Sequence, residues 1–382
     1  MKNFARFLDL VKVVVILLFS SPLIMLLVWF FQPKQPLAIT IIDKTVLNNS
    51  NEEHASLFWH LNHEKYVHPV TKKRFDPDRD YYGFFPGLLG EYQIKGLSQL
   101  TTLQLDSIAK ASDFLYFTDT YGIFEKEWNK NDLSGERSGI IYGGLSTADL
   151  QVLKQAKNSG KTIITEFNCI GSPTAASERS AFEELFKLQW TGWIGRFIEN
   201  LDTVQNKEIP GWMKRQYVLK HGQWPFKKAG IVFVNQADEI EILEMDTDLA
   251  FPVPIIKTDS SFQQKTKLPQ EIPYPFWFDV MDAGENQTLA HYYLQTTPSG
   301  EAILKKIGLK NTFPAIIGHQ DYDYTFYYFA GDFADNPLTY KRSYFKGIRW
   351  FREFFYDPTE PTDRSYFFWE YYLPLLDHII KQ

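Results

Sequence analysis

Apolar and polar positions along this chain switch between two periods, and the switches mark out its elements. "LAITIID" (residues 37–43) is a continuous apolar run of strand length that ends at Asp43. In "HASLFWHLNH" (54–63), Leu57, Phe58 and Leu61 recur at helical spacing. "QLDSIAKASDFLYFTDTYG" predicts a helix and then a strand ending at Asp119. In "LSTADLQVLKQAKNSGKTIITEF", Ser146 is placed to cap a helix with Leu150, Leu153 and Ala156 on one face, and Gly160 stops that helix before the strand "TIITEF". This β–α–β–α–β order predicts an α/β fold, a mostly parallel sheet with helices on both faces.

Beyond it, "SERSAFEELFKLQW" repeats the helical pattern. "AGIVFVNQADEIEILE" predicts two short strands across a polar turn, and "FPAIIGHQDYDYTFYYFAGDF" a hairpin turning between His319 and Tyr324. "YFKGIRWFREFF" and "SYFFWEYYLPLLDHIIK" predict closing helices. The last is apolar nearly all round, but Glu370, Pro374 and Asp377 make it unfit to span a bilayer. It suits packing on the sheet, on a bilayer surface or on a partner.

The N-terminal run 13–31, "VVVILLFSSPLIMLLVWFF", carries no charge and has the length of a transmembrane helix. Lys2, Arg6 and Lys12 precede it and Lys34 alone follows closely, which predicts a cytoplasmic N-terminus. No small-x-small cleavage site follows the run, so an uncleaved single anchor in the cell membrane is expected. The expected divisions are a cytoplasmic tail (1–12), the transmembrane helix (13–31), a linker (32–36), an extracytoplasmic α/β domain (37–340) and a C-terminal helical segment (341–382).

Composition narrows the chemistry. A net charge of −6 without a long basic run lacks a nucleic-acid footprint. One cysteine in 382 residues excludes an internal disulfide and a cysteine-rich metal site. His60 and His63 lie one turn apart on a predicted helix with no third ligand spaced for zinc, so they read as surface histidines and no metal or cofactor is expected. Aromatics make up 16% of residues, a surplus that suits sugar faces or a partner surface.

Two stretches resemble a known family. "LSTADLQVLKQAKNSGKTIITEFNCIGSP" resembles the helix–strand step of class I glutamine-amidotransferase-like domains, and "FPAIIGHQDYDYTFYYFAGDF" resembles their terminal hairpin. The closest variety is the non-catalytic one found in β-galactosidase middle domains and uncharacterised bacterial envelope proteins. The resemblance implies a flavodoxin-like sheet. In catalytic members a cysteine sits between glycines on a strained turn, and a His-x-Glu follows later. Here Cys169 has only Gly171 nearby, while "GHQDYD" supplies His319 and Asp321. A Cys169–His319–Asp321 hydrolase set is thus the alternative, and a degenerate, non-catalytic turn the preferred reading.

Ligands of open parallel sheets bind beyond the carboxyl ends of the strands. Asp43, Asp119 with Tyr121, and Glu166 with Asn168 fall at or just past three such ends, where they would accept hydrogen bonds from sugar hydroxyls, bind a cation or act as paired carboxylates on a glycosidic bond. Capping and turn closure are the ordinary uses of Asp and Asn at these places. In "WTGWIGRF" two glycines argue for an exposed loop, with Trp190, Trp193 and Arg196 as an aromatic platform carrying a cation. Asp332 and Asp335 read as turn residues. The expectation is a membrane-anchored, non-catalytic protein binding an envelope glycan or a membrane-complex partner.

Overall fold

The computed structural model describes Lys12 and residues 20–48, 50–129, 137–320 and 323–382. The three apolar runs form the strands Ile39–Asp43, Phe114–Asp119 and Thr162–Glu166, and every residue of the middle one is buried. They pair in parallel with 114–119 at the centre. Tyr82–Pro86 adds in parallel beside 39–43, and Thr325–Phe329 beside 162–166. Tyr92–Lys95 closes one edge antiparallel. On the other side Thr312–Gln320, Gln287–Tyr293, Ile255–Thr258 and Glu271–Pro273 follow, each antiparallel to its neighbour.

The sheet therefore has ten strands and is mixed, which corrects the mostly parallel, flavodoxin-like expectation. The cause is the 312–329 hairpin. Its second strand runs parallel to 162–166, so its first, joined by a tight turn, must run antiparallel, and the strands beyond continue that alternation.

From 39–43 the chain moves to 82–86 on one side and later to 114–119 and 162–166 on the other. Right-handed crossovers then put helix Glu52–His63 on one face and helix Thr147–Asn158 on the other. The topological switch point lies between the carboxyl ends of 39–43 and 114–119, where Asp43 pairs in register with Asp119. Ser146 caps its helix by a reciprocal bond with Asp149, as its sequence position implies.

A second, antiparallel sheet is ordered 240–244, 230–235, 189–198, 277–282. It contains "WTGWIGRF" inside the strand Gln189–Ile198, so the exposed-loop reading is corrected. The two glycines serve the strand itself. Gly192, at φ +88°, sits in the bulge between Trp190 and Ile194, and a Cβ on Gly195 would lie 2.1 Å from the Phe278 ring.

Among the described residues no helix is long and apolar enough to cross a membrane, which overturns the expected N-terminal transmembrane helix. Residues 13–19 lie outside the described residues; residues 20–31 are helical. The end of that helix is tied to the domain. Trp29 is buried and its Nε1 donates to Asn62 O at 2.9 Å, while Lys65 Nζ donates to the carbonyls of Trp29 and Gln32 at 2.9 Å each. One ammonium thus caps carbonyls at the end of that helix.

The closing segment 364–380 packs on the sheet, burying Phe367, Phe368, Trp369, Tyr371, Tyr372, Leu375 and Leu376. It covers helix 52–63, so His60 and His63 are buried rather than on the surface. His63 Nδ1 faces Ser343 O at 3.1 Å, and its ring stacks on Trp59. Burial, which disfavours the charged ring, lowers His60 to about 4 and His63 to about 3.

Candidate functional site

The strand-end residues do converge, but most of their polar atoms are already engaged. Asp43 is wholly buried; its Oδ1 accepts from Thr45 N at 2.9 Å and its Oδ2 lies 2.6 Å from His54 Nδ1. The other ring nitrogen, Nε2, faces the Pro77 carbonyl at 3.0 Å. A carbonyl only accepts, so Nε2 is the donor there, and Asp43 and His54 satisfy each other's polar atoms in the interior.

Asp119 Oδ1 accepts from Thr45 Oγ1 at 2.8 Å and from Tyr121 N at 2.5 Å. Burial, with Asp43 adding to it, pushes its carboxyl up to about 7. Tyr121 leans on Phe124. Glu166 is completely buried. Its Oε2 accepts from the amides of Phe333 and Ala334 at 2.9 Å each, and Oε1 meets the Tyr116 hydroxyl. Burial raises its affinity for a proton strongly. Asn168 takes a left-handed conformation, φ 63°, and its carbonyl accepts from Thr120 Oγ1 at 3.2 Å. These residues brace the crevice floor.

Cys169 is also fully buried, with its thiol 3.7 Å from Phe117 O. Burial first, then the charge of Asp119, pushes the thiol up, the opposite of an activated nucleophile. His319 is remote. It pairs in register with Phe326, which pairs with Ile163 near the start of the strand that ends before Cys169. At roughly 3.3 Å per residue the two side chains are about 20 Å apart. His319 Nε2 lies 3.1 Å from Asp323 Oδ1, and its ring stacks on Tyr324. Asp321 lies outside the described residues. The structure does not bring Cys169 and His319 together.

The aromatic platform does not form either. Trp193 is buried, and its strand sends Trp193 and Arg196 to opposite faces. The Arg179 guanidinium covers Trp190 at 4.6 Å, whereas Arg196 lies over Trp277 at 4.9 Å.

The other charged residues at the strand ends form a set of which the sequence singled out only Asp332 and Asp335, and those as turn residues. Asp332 follows strand 325–329, is only 8% exposed, and accepts no hydrogen bond from any described residue. Burial raises its carboxyl well above the usual range, with Asp335 and Asp119 adding and Arg364 opposing. Glu53, in the first turn of helix 52–63, is raised by burial and then by Asp43, Asp335 and Asp119. Asp335 is raised by burial against the pull of Arg364.

Arg364 is the cation among them. Its guanidinium lies 3.3 Å above the Phe276 ring, and Nη2 is 3.5 Å from Asp335 Oδ1, an ion pair without hydrogen-bond geometry. That Nη2, like Arg196 Nε, has no hydrogen-bond partner. Among the described residues no group of His, Cys, Asp and Glu is arranged to hold a metal ion. The strand ends therefore carry carboxyl oxygens without a hydrogen-bond donor near guanidinium N–H groups without an acceptor. The signal for them was faint: "GDFADNP" is an acidic pair after an aromatic strand, and its arginine lies in a different segment.

No family model matches the chain, and no curated protein matches it. The amidotransferase resemblance rests on its two stretches alone.

Proposed function

We propose that this chain binds a polyhydroxylated ligand, of the glycan class, in the strand-end crevice bounded by Glu53, Asp332, Asp335 and Arg364, and that it does so without chemistry. The observation that carries the reading is Asp332, a buried carboxyl with no hydrogen bond from any described residue beside a guanidinium N–H without one. Leaving a buried N–H such as Arg364 Nη2 unmet costs roughly 1–3 kcal/mol. A hydroxyl both donates and accepts, so one sugar hydroxyl satisfies both kinds at once. The degenerate surroundings of Cys169 agree with a binding role.

A second reading has its own observation. Glu53, Asp119, Asp332 and Asp335 all hold protons more tightly than ordinary carboxyls, as the general acid of a glycosidase must. One experiment addresses both. The chain is presented to an array of bacterial envelope oligosaccharides, with Asp332→Asn and Lys110→Ala in parallel. Retention of intact glycan by the wild type and Lys110→Ala, but not by Asp332→Asn, supports binding. Shortened glycans support hydrolysis, and no retention by any form refutes the proposal.

A further inference from the structure

We infer that residues 345–355 dock on the surface of a lipid bilayer, with Trp350 and Phe354 immersed beside helix 20–31. This needs no spanning helix and is independent of the strand-end crevice.

The segment Ile348–Phe354 is a 3-10 turn with one inward residue, Ile348, which is buried. Trp350 is 87% exposed and Phe354 84%. With three residues per turn Phe351 and Phe354 follow Ile348 along one side, yet only Ile348 reaches the core, and Phe351 is itself 43% exposed. Next to it helix 20–31 exposes Leu23, Ile24, Leu27, Val28, Phe30 and Phe31. The two are joined by Lys346 N donating to Met25 O at 3.2 Å, and a shallow groove between them is lined by Ile24, Leu27, Val28, Phe31 and Lys346. The result is one apolar surface contributed by chain segments more than 300 positions apart, larger than scattered surface residues make.

Two observations choose lipid as the occupant. First, the outermost side chains are Trp and Phe, the types enriched at the membrane–water boundary. Second, residues 340–356 carry Lys341, Arg342, Lys346, Arg349 and Arg352 against Glu353 alone. Carboxylates on other segments partly neutralise three of these: Lys346 and Arg349 face Glu64, Arg349 faces Asp377, and Arg352 faces Glu370. Exposed Lys341 still favours an anionic surface, as does half-buried Arg342, whose guanidinium lies over the Phe355 ring at 4.3 Å.

The test uses the full chain reconstituted with vesicles of phosphatidylcholine and phosphatidylglycerol, with or without bromine on the acyl chains. Trp350→Phe is compared with the wild type, since the exposed ring can be replaced without touching the core. The difference in emission between the two proteins isolates Trp350 from the other tryptophans. Quenching of that difference by half or more in brominated vesicles is the expected result. A difference signal that bromine leaves unchanged overturns the inference. So does a signal that shifts with protein concentration in the absence of lipid, which would make the face a contact between copies of the chain.

Discussion

Tyr116 and Tyr372, 256 positions apart, share a hydrogen bond of 2.9 Å between their hydroxyls, and Tyr116 passes the contact on to Glu166. Through this chain of groups the closing helix is fixed to the central strand directly beneath the crevice. Glu166 also holds the amides of residues 333 and 334, the neighbours of Asp332. Its role is to set the crevice wall, not to meet a ligand.

Removing it should therefore be costly and isosteric replacement should not. Glu166→Ala leaves two buried amides without an acceptor and the Tyr116 phenol with Tyr372 alone, so a loss of about 3 kcal/mol is expected. Glu166→Gln keeps an acceptor for the amides and should stay within about 1 kcal/mol of the wild type. Urea unfolding of the three proteins measures both.

A second buried contact ties the switch point to the neighbouring helix. Lys44 Nζ meets Asp149 Oδ2 and the Gly144 carbonyl, and both side chains are almost completely buried. Breaking one side leaves an uncompensated buried charge, so Lys44→Met should lose about 3–5 kcal/mol. The double variant Lys44→Met/Asp149→Asn should lose less than the two single losses added together. Strict additivity in that cycle would show that the ion pair does not couple the strand end to the helix.

Stability should also carry a pH signature from the crevice. Asp119 has a folded-state value of about 7, above its unfolded one, so the folded form binds the extra proton. Its contribution is complete below the unfolded value, about 4, and is lost as pH rises towards 7. Asp279, buried against Tyr328 and also raised to about 7, acts in the same sense. His60 and His63 act oppositely: their folded values are lowered, so their contribution is present above about 6.5 and falls as the unfolded state takes up protons below it. Replacing Asp119 with Asn should remove part of the decline between pH 4 and 7, of the order of 3 kcal/mol. Unfolding curves at pH 5 and pH 7.5 for both proteins measure it, and parallel pH profiles would contradict the assignment.

Cys169 makes a simple prediction of its own. Being buried and raised, it should resist iodoacetamide in the folded protein and react once urea unfolds the chain. His319→Ala should leave glycan retention unchanged, because it lies at the other end of the sheet.

The sequence made the strands legible because a strand buried on both faces is apolar throughout, as 114–119 is. It also placed Asp43, Asp119 and Glu166 correctly at the carboxyl ends. It could not reveal that two of these carboxyls are consumed by His54 and by the 333–334 amides, since both partners come from distant segments. The mixed sheet was hidden for a related reason: alternation inside one strand does not state the direction of its neighbour. Asp332 was passed over because an acidic residue after a strand normally closes a turn. Only the fold shows that it is buried beside Arg364. The glycines of "WTGWIGRF" misled in the opposite way, since a bulge and a close ring contact look like a loop in sequence.

The most direct measurement is a calorimetric titration of the glycan retained on the array into wild type, Asp332→Ala and Cys169→Ala, with the melting temperature of each recorded. The account predicts a tenfold or greater loss of affinity in Asp332→Ala, equivalent to about 1.4 kcal/mol, at a melting temperature no lower than that of the wild type. It predicts unaltered affinity in Cys169→Ala. Equal affinity of wild type and Asp332→Ala would contradict the crevice as the binding site.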